Sequence, residues 1–393
     1  MTSASRGSRR GDVDPFIVMD VMERARAAEA AGQRVIHMEV GQPGTAAPAG
    51  AVAALKTVLD QPLGYTVALG LPALREGIAG LYQRWYGVEV DPRRVIVTTG
   101  SSGAFLLAFT ALFDAGDRVA LGEPGYPSYR QILRALSLTP VGIPARMENR
   151  LQPAVEDLDG LDVAGLIVAS PGNPTGTMLD RMALARLAGW AEAQGAAFVS
   201  DEIYHGLHYG DRAVSALEIT DKAWVINSFS KYFSMTGWRI GWMVVPEDQV
   251  RRVERLAQNM FICPPHASQI AALAALDCTA ELEANRAVYA ENRRLMLEGL
   301  PKAGFDRIAP PDGAFYIYAD VSGLTDDSLR LAGEILDGAG VAVTPGIDFD
   351  PRRGHQWMRF SYARSTADIA EGLERLAAFM AGRMSGAGRI SGR

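Results

Sequence analysis

Lysine is nearly missing from this chain: of 39 basic residues only Lys56, Lys222, Lys231 and Lys302 are lysines. Arginine does not give up its proton in proteins, so chemistry that needs a deprotonatable amine has only those candidates. The two cysteines, Cys263 and Cys278, exclude a disulfide framework and a zinc knuckle, and they favour free thiols in a reducing, cytoplasmic compartment. No apolar run is long enough to span a bilayer, and the basic start, residues 1–12, leads into no apolar stretch of a signal peptide, so neither leader nor anchor is expected. A net charge of -6, with acidic residues spread along the chain, leaves no footprint for nucleic acid. Small anions must then be met locally.

What is present is a large apolar content, 48% of 393 residues, enough to bury a sizeable core and to divide into two domains. Apolar residues at helical spacing over 15–33, with Gly32 as a stop, and a short strand over 35–40 read as an N-terminal arm. Helical patterns then alternate with apolar runs at 95–98, 118–121, 166–169, 197–201, 224–228 and 240–245. Such alternation predicts an α/β fold, a three-layer α/β/α large domain around a mostly parallel mixed sheet. Helical segments at 247–260, 266–276 and 280–300 follow, and strands near 314–319 and 357–362 predict a smaller α+β domain that the arm joins. The expected divisions are a disordered tail at 1–14, the arm at 15–45, the large domain at 46–285, the small domain at 286–384 and a second disordered tail at 385–393.

In open α/β sheets ligands gather at the carboxyl ends of strands, and four polar sequences fall there. Thr99-Gly100-Ser101-Ser102-Gly103 follows one strand and opens a helix, which suits an anion; Ser170-Pro171-Gly172-Asn173 follows a second; Asp201-Glu202-Ile203-Tyr204 closes a third; Ser228-Phe229-Ser230-Lys231 closes a fourth, with Arg239 eight residues on. Lys231 supports two readings. Ser228-x-x-Lys231 matches the nucleophile motif of serine acyl-transfer enzymes, although the companion motifs are missing. As a Schiff-base lysine, Lys231 would instead bind an aldehyde cofactor, with Asp201 against a pyridinium nitrogen and Asn173 and Tyr204 on a phenolate oxygen, so that one hypothesis uses all four strand ends.

Pro171-Gly172-Asn173-Pro174-Thr175-Gly176, Asp201-Glu202-Ile203-Tyr204, Ser228-Phe229-Ser230-Lys231 with Arg239, and Arg359-Phe360-Ser361 stand in the order and approximate spacing of class I/II aminotransferases, fold-type I pyridoxal-phosphate enzymes of the aspartate aminotransferase superfamily. The resemblance runs from about residue 35 to 378. It implies an aminotransferase that passes the amino group between an L-amino acid and a 2-oxo acid by a ping-pong route, with pyridoxal 5'-phosphate as cofactor. It implies further that Lys231 carries the cofactor and the migrating proton, with Asp201 and Tyr204 as its catalytic partners. Ser101, Ser102, Gly103, Ser228, Ser230 and Arg239 would hold the phosphate, Tyr126 would stack on the ring, and Asn173 and Tyr204 would meet its oxygen. Arg359 resembles the arginine that pairs with the substrate carboxylate, with Asn173 and the backbone of Gly41 beside it, and Tyr65 resembles a tyrosine that reaches the neighbouring subunit, so a homodimer with shared sites is implied.

Taken singly these residues have plainer uses: Tyr65 and Tyr126 in packing, Gly41 in a turn. Glu202, His205 and His208 imitate a metal cluster, but their spacing differs from H-E-x-x-H and no metal is expected. Rival functions are a C–S β-lyase of the same fold, a serine acyl hydrolase built on Ser228, and a non-enzymatic sensor. The substrate side chain is expected to meet the N-terminal arm, residues 65–71 and residues 261–265, where apolar and aromatic groups favour neutral or aromatic amino acids.

Overall fold

The computed structural model describes residues 7–387, with side chains to Arg383. Its helices are α1 (Ile17–Ala30), α2 (Ala49–Lys56), α3 (Pro72–Tyr86), α4 (Gly100–Leu112), α5 (Pro127–Ala135), α6 (Arg181–Ala193), α7 (Val250–Met260), α8 (His266–Ala275), α9 (Thr279–Lys302), α10 (Ser328–Ala339) and α11 (Thr366–Ala387). The large sheet is built from β2 (Val95–Thr98), β3 (Arg118–Glu123), β4 (Thr139–Pro144), β5 (Gly165–Ala169), β6 (Ala197–Asp201), β7 (Trp224–Ser228) and β8 (Gly241–Val244), after a short β1 (Ile36–His37) in the arm. Strand order in the sheet is β2-β8-β7-β6-β5-β3-β4, parallel throughout except for β8, which runs against both neighbours. The mixed, mostly parallel sheet of the α/β reading is therefore the one observed.

Alternation along the strands explains why both faces are covered. Val95, Val97, Leu166, Val168, Val225 and Val244 enter the core on one face, while Ile96, Val119, Leu121, Ile167, Val199, Ile226 and Met243 enter it on the other. A strand apolar on both faces must sit between two helical layers, and each fully buried aliphatic side chain contributes about 1.5–3 kcal/mol. Helix α4, with Gly103, Ala104, Phe105, Leu107, Ala108 and Phe109 all buried, shows the all-round apolar surface of an interior helix. β4 escaped the sequence reading because Pro140 and Pro144 interrupt it; it is the sheet's edge, paired only with β3, where proline's missing donor is tolerated.

A second sheet, β12 (Thr344–Pro345), β13 (Trp357–Ser361), β10 (Tyr316–Asp320) and β9 (Arg307–Ile308) in spatial order, is antiparallel, and β1 pairs with β11 (Val341–Ala342). The arm helix α1 is shorter than the expected 15–33 and ends just before Gly32, whose φ of +90° stops it. Its Ala25 packs with Val35, Leu336 and Ala342. The expected tails lie outside the described residues at 1–6 and 388–393. Within the expected first tail, Arg9–Gly11 forms a single 3-10 turn and Asp14 pairs with Arg134, and α11 continues to Ala387. Among the described residues no helix is long and apolar enough to cross a membrane.

Candidate active site

Strand register brings the polar ends together. Ala169 lies opposite Asp201, and Asp201 opposite Ile226, two residues before Ser228; Ser228 faces Gly241, which faces Thr98 at the end of β2. One edge of the sheet thus carries Asp201, the Ser228–Lys231 turn and the head of α4 side by side. Above it a cavity of about 190 Å³ is lined by Ser101, Ser102, Tyr126, Asn173, Asp201, Tyr204, Ser230, Lys231, Arg239, Arg359 and Gly41 among the residues singled out from sequence.

Three of the expected residues stand apart from it. Gly103 is buried one turn into α4, and Ser228 meets the cavity only through Ser230, whose hydroxyl it reaches at 2.8 Å. Tyr65 is 84% exposed and lies outside the cavity, as do residues 65–71 and 261–265, expected to wall the substrate. Those two segments instead meet each other, through Thr66 N–H to Cys263 Sγ at 3.4 Å, and their flanking residues His266 and Gly64 do so through Nδ1 and the carbonyl at 3.0 Å.

The charges are lopsided. Lys231, Arg239 and Arg359 face the cavity, and Asp201 is the one carboxylate among its lining residues. Lys231 Nζ donates to the Gly41 carbonyl at 2.5 Å and has no ion-pair partner among the described residues. Enclosure by protein, together with the positive charge of Arg359 and Arg239, pushes its pKa down to about 7, against the pull of Asp201. Arg359, at the centre of the small sheet on β13, donates to Asn173 Oδ1 at 2.8 Å and to the Glu39 carbonyl, and lies between the Tyr316 and Phe349 rings at 4.5 and 4.7 Å. Its Nε is buried and has no hydrogen-bond partner among the described residues. A buried cation held by neutral groups, with an unused donor, is prepared for an anion from outside.

Arg239 takes the other end of the cavity. Its Nη1 is fixed by the Thr236 carbonyl at 2.8 Å, and its guanidinium lies so close to Gly100 that a Cβ there would come within 2.4 Å of Nη2. Gly100, at φ +69°, opens α4, so the guanidinium, the Ser101 and Ser102 hydroxyls and the helix N-terminus form one anion cradle. Gly41 is equally constrained, since a Cβ would fall 1.8 Å from Tyr316 Oη. Its turn lets the backbone carbonyl come up to Lys231.

Asp201 is wholly enclosed, and burial above all lifts its pKa to about 6, while hydrogen bonds from Tyr129 and the Ile203 amide and the charge of Lys231 hold it down. Tyr204 Oη bonds to Tyr316 Oη at 2.8 Å. The N-terminal arm does reach the cavity, as expected for the substrate side chain, through Phe16, Val18 and Met19, which were not singled out individually; the sequence reading missed Tyr129 and Tyr316, which also line it. Tyr129 carried a usable signal, one helical turn after Tyr126, whereas Tyr316 and Phe16 reach the site only through tertiary packing.

Two other residue groups singled out from sequence have hydrogen-bond partners of their own. Ser228 Oγ is engaged with Ser230 and the Ile240 carbonyl at 3.0 Å, and Lys231 with Gly41, so the serine–lysine pair of an acyl hydrolase does not form. Behind the site Glu202 accepts from the Ala216 amide and the Ser215 and Ser200 hydroxyls, while His205 lies between Tyr86 Oη and the Ser170 carbonyl.

The profile of the aminotransferase class I and II family matches residues 34–376. The valine–pyruvate aminotransferase of Mycobacterium tuberculosis is 48% identical over 382 residues, covering 95% of this chain and 98% of that protein. A crystal structure of a Silicibacter pomeroyi protein is 70% identical with a TM-score of 0.93, covering 96% of this chain and all of that one. Thermus thermophilus aspartate aminotransferase with maleate gives a TM-score of 0.90 at 32% identity, with 95% of this chain and all of that one covered.

Glu202 provides a test of the buried electrostatics. Burial, reinforced by the charge of Asp201, raises its pKa from 4.5 to about 8. The folded protein therefore keeps a proton that the unfolded chain has lost, so this group's contribution is full below about pH 4.5 and disappears as pH rises through about 8. Urea unfolding of wild type and Glu202→Gln from about pH 5 to about pH 9 should show a decline in the wild type that the glutamine variant lacks. Parallel curves would contradict the buried, protonated state.

Proposed function

This chain belongs to the class I and II aminotransferases and is a pyridoxal-phosphate-dependent transferase; we propose that it passes the amino group between a neutral, apolar L-amino acid and a 2-oxo acid, with Lys231 as covalent anchor and proton carrier. The observation that carries this reading is the surplus of positive charge, two arginines to one carboxylate, around an amine of pKa about 7. Such a cavity fits a ligand bearing a phosphate at one end and a substrate bearing a carboxylate at the other.

The residues present fit the cofactor. We assign its phosphate to the cradle of Ser101, Ser102, Ser230 and Arg239, with Ser228 bracing Ser230 and Gly103 buried behind them in α4. Asp201 would hold the ring nitrogen in its protonated form, Asn173 and Tyr204 would face the ring oxygen, and Tyr126 would cover one face. Pyridoxal phosphate, when bound, supplies an aldehyde that takes up the amino group and a conjugated ring that accepts the electron pair left at the substrate Cα.

The chain's own groups do the rest. Arg359 binds the substrate carboxylate with its unused Nε donor, flanked by Asn173. Lys231, an amine that is part neutral near pH 7, takes the Cα proton of the amino acid and returns a proton to the same carbon when a 2-oxo acid is converted in the second half-reaction. Tyr129 and the Ile203 amide keep the Asp201 carboxylate in place.

Substrate choice follows from the wall opposite these charges. Phe16, Val18, Met19 and Val40 are apolar, and the lining cations are committed to phosphate, carboxylate and Schiff-base roles, which leaves none for a distal carboxylate. The name of the M. tuberculosis relative, a valine–pyruvate aminotransferase, supports the same choice. A second copy of the chain fits the exposed Leu59, Leu63, Tyr65, Val67, Met260 and Ile262, and Tyr65 is positioned by its exposure to serve that copy's site rather than its own.

Mixing holoenzyme with single amino acids, without acceptor, tests the substrate reading. Valine should convert the lysine-linked cofactor to its amine form at least about tenfold more efficiently than aspartate, and Lys231→Ala should abolish the reaction; a preference for aspartate would overturn the substrate class. Gly100→Ala and Arg239→Ala should each weaken cofactor retention on dilution by about tenfold or more, while Arg359→Ala should retain cofactor and raise the amino acid's KM by at least that factor. Equal loss of cofactor in all three would contradict the division between the two ends of the cavity.

A further inference from the structure

One carboxylate beside the site has no part in that chemistry. Asp348 lies in the turn Gly346–Asp348 that follows β12, and it is 4% exposed. Its two carboxylate oxygens accept the amides of Ile17 and Val18, each at 3.2 Å. These are the first amides of α1, whose own N-cap residue, Phe16, offers no side-chain acceptor. A residue 330 positions away in sequence therefore does the work that a local serine or aspartate does in most helices.

The same turn is tied on two further sides. Arg130, buried on α5, donates to the carbonyls of Asp348 and Phe349 at 3.0 Å each. The Phe349 ring stands 4.7 Å from the Arg359 guanidinium. So two neighbouring residues, Asp348 and Phe349, join the arm, α5 beside Tyr126, and the carboxylate anchor. Just ahead of the arm, Asp14 is tied to Arg134 and Gln131, but these contacts are solvent-exposed, and such pairs hold weakly.

We propose that Asp348 is a positioning residue that sets substrate side-chain selection: by capping α1 it holds Phe16, Val18 and Met19 as the wall of the cavity, without itself touching the substrate. This rests on the reading of those residues as the side-chain wall. Phe16 meets Tyr126 edge-on at 5.9 Å and Met19 is 54% exposed, so neither is fixed by a deep core of its own. Their placement depends on where the helix begins.

The test is a selectivity ratio rather than a rate. In half-reactions of the holoenzyme, Asp348→Ala should lower the kcat/KM ratio of valine to alanine by about tenfold, mostly through KM, while alanine itself changes by less than about twofold. Asp348→Asn, which keeps one acceptor, should fall between and provides the reading if the alanine variant does not fold. Phe16→Ala should lower the ratio similarly, and the double variant should lose no more than the larger single change. In apo protein, hydrogen exchange of the amides at 17–20 should accelerate in Asp348→Ala while α3 is unchanged. An unchanged ratio, additive losses, or unchanged amide protection would overturn the proposal. If the wild type itself disfavours valine, the substrate reading fails, and the ratio for whichever two apolar amino acids it does accept still decides the role of Asp348.

Discussion

An amine enclosed without a counter-ion is the constraint on which the site depends. Among the described residues Lys231 hydrogen-bonds to the Gly41 carbonyl and forms no ion pair, with Arg359 and Arg239 raising the cost of its charge and Asp201 lowering it. In water a lysine is protonated and useless as a nucleophile at neutral pH; here enclosure and like charge free the amine for covalent work and proton transfer. The same electrostatics leave the cavity short of negative charge. The protein thus stores, in its cations, a demand that a phosphate at one end and a carboxylate at the other can meet.

The fold supplies that arrangement by register. Parallel β5, β6 and β7 end together, and the single antiparallel strand, β8, returns Gly241 between Ser228 and Thr98, so Arg239 arrives beside the start of α4. Arg359 comes from a different sheet, and its strand, β13, brings it over the cavity opposite the large sheet's edge. Two glycines beside the cavity make close approaches: Gly41 beneath Tyr316 and Gly100 beneath Arg239 leave no room for a Cβ. Each is a place where a backbone, rather than a side chain, faces the chemistry.

Much of this was legible because the chemistry-bearing residues are local motifs at strand ends. The apolar runs that became β2, β3, β5, β6, β7 and β8, and the polar residues after them, gave both the α/β architecture and the convergence of Asn173, Asp201, Lys231 and Arg239. What escaped depends on contacts between distant segments. Tyr316 and Phe16 have no local signature, and Asp348 caps a helix from the far end of the chain. Gly41 and Gly100, which have the look of ordinary turn residues, are each constrained by a side chain from a distant segment, Tyr316 and Arg239. Residues 65–71 looked like cavity wall because they are apolar, but they lie outside the cavity, with Tyr65 and Val67 exposed and Leu69 buried elsewhere.

The near absence of lysine makes the central claim directly measurable. With four lysines in the chain, a carbon-13 label at lysine Cε gives four NMR signals in the apo protein, and Lys231→Ala identifies one of them. The account predicts that this signal titrates near pH 7, far below an ordinary lysine at about 10.4. A Lys231 that keeps its proton up to the ordinary range would contradict it.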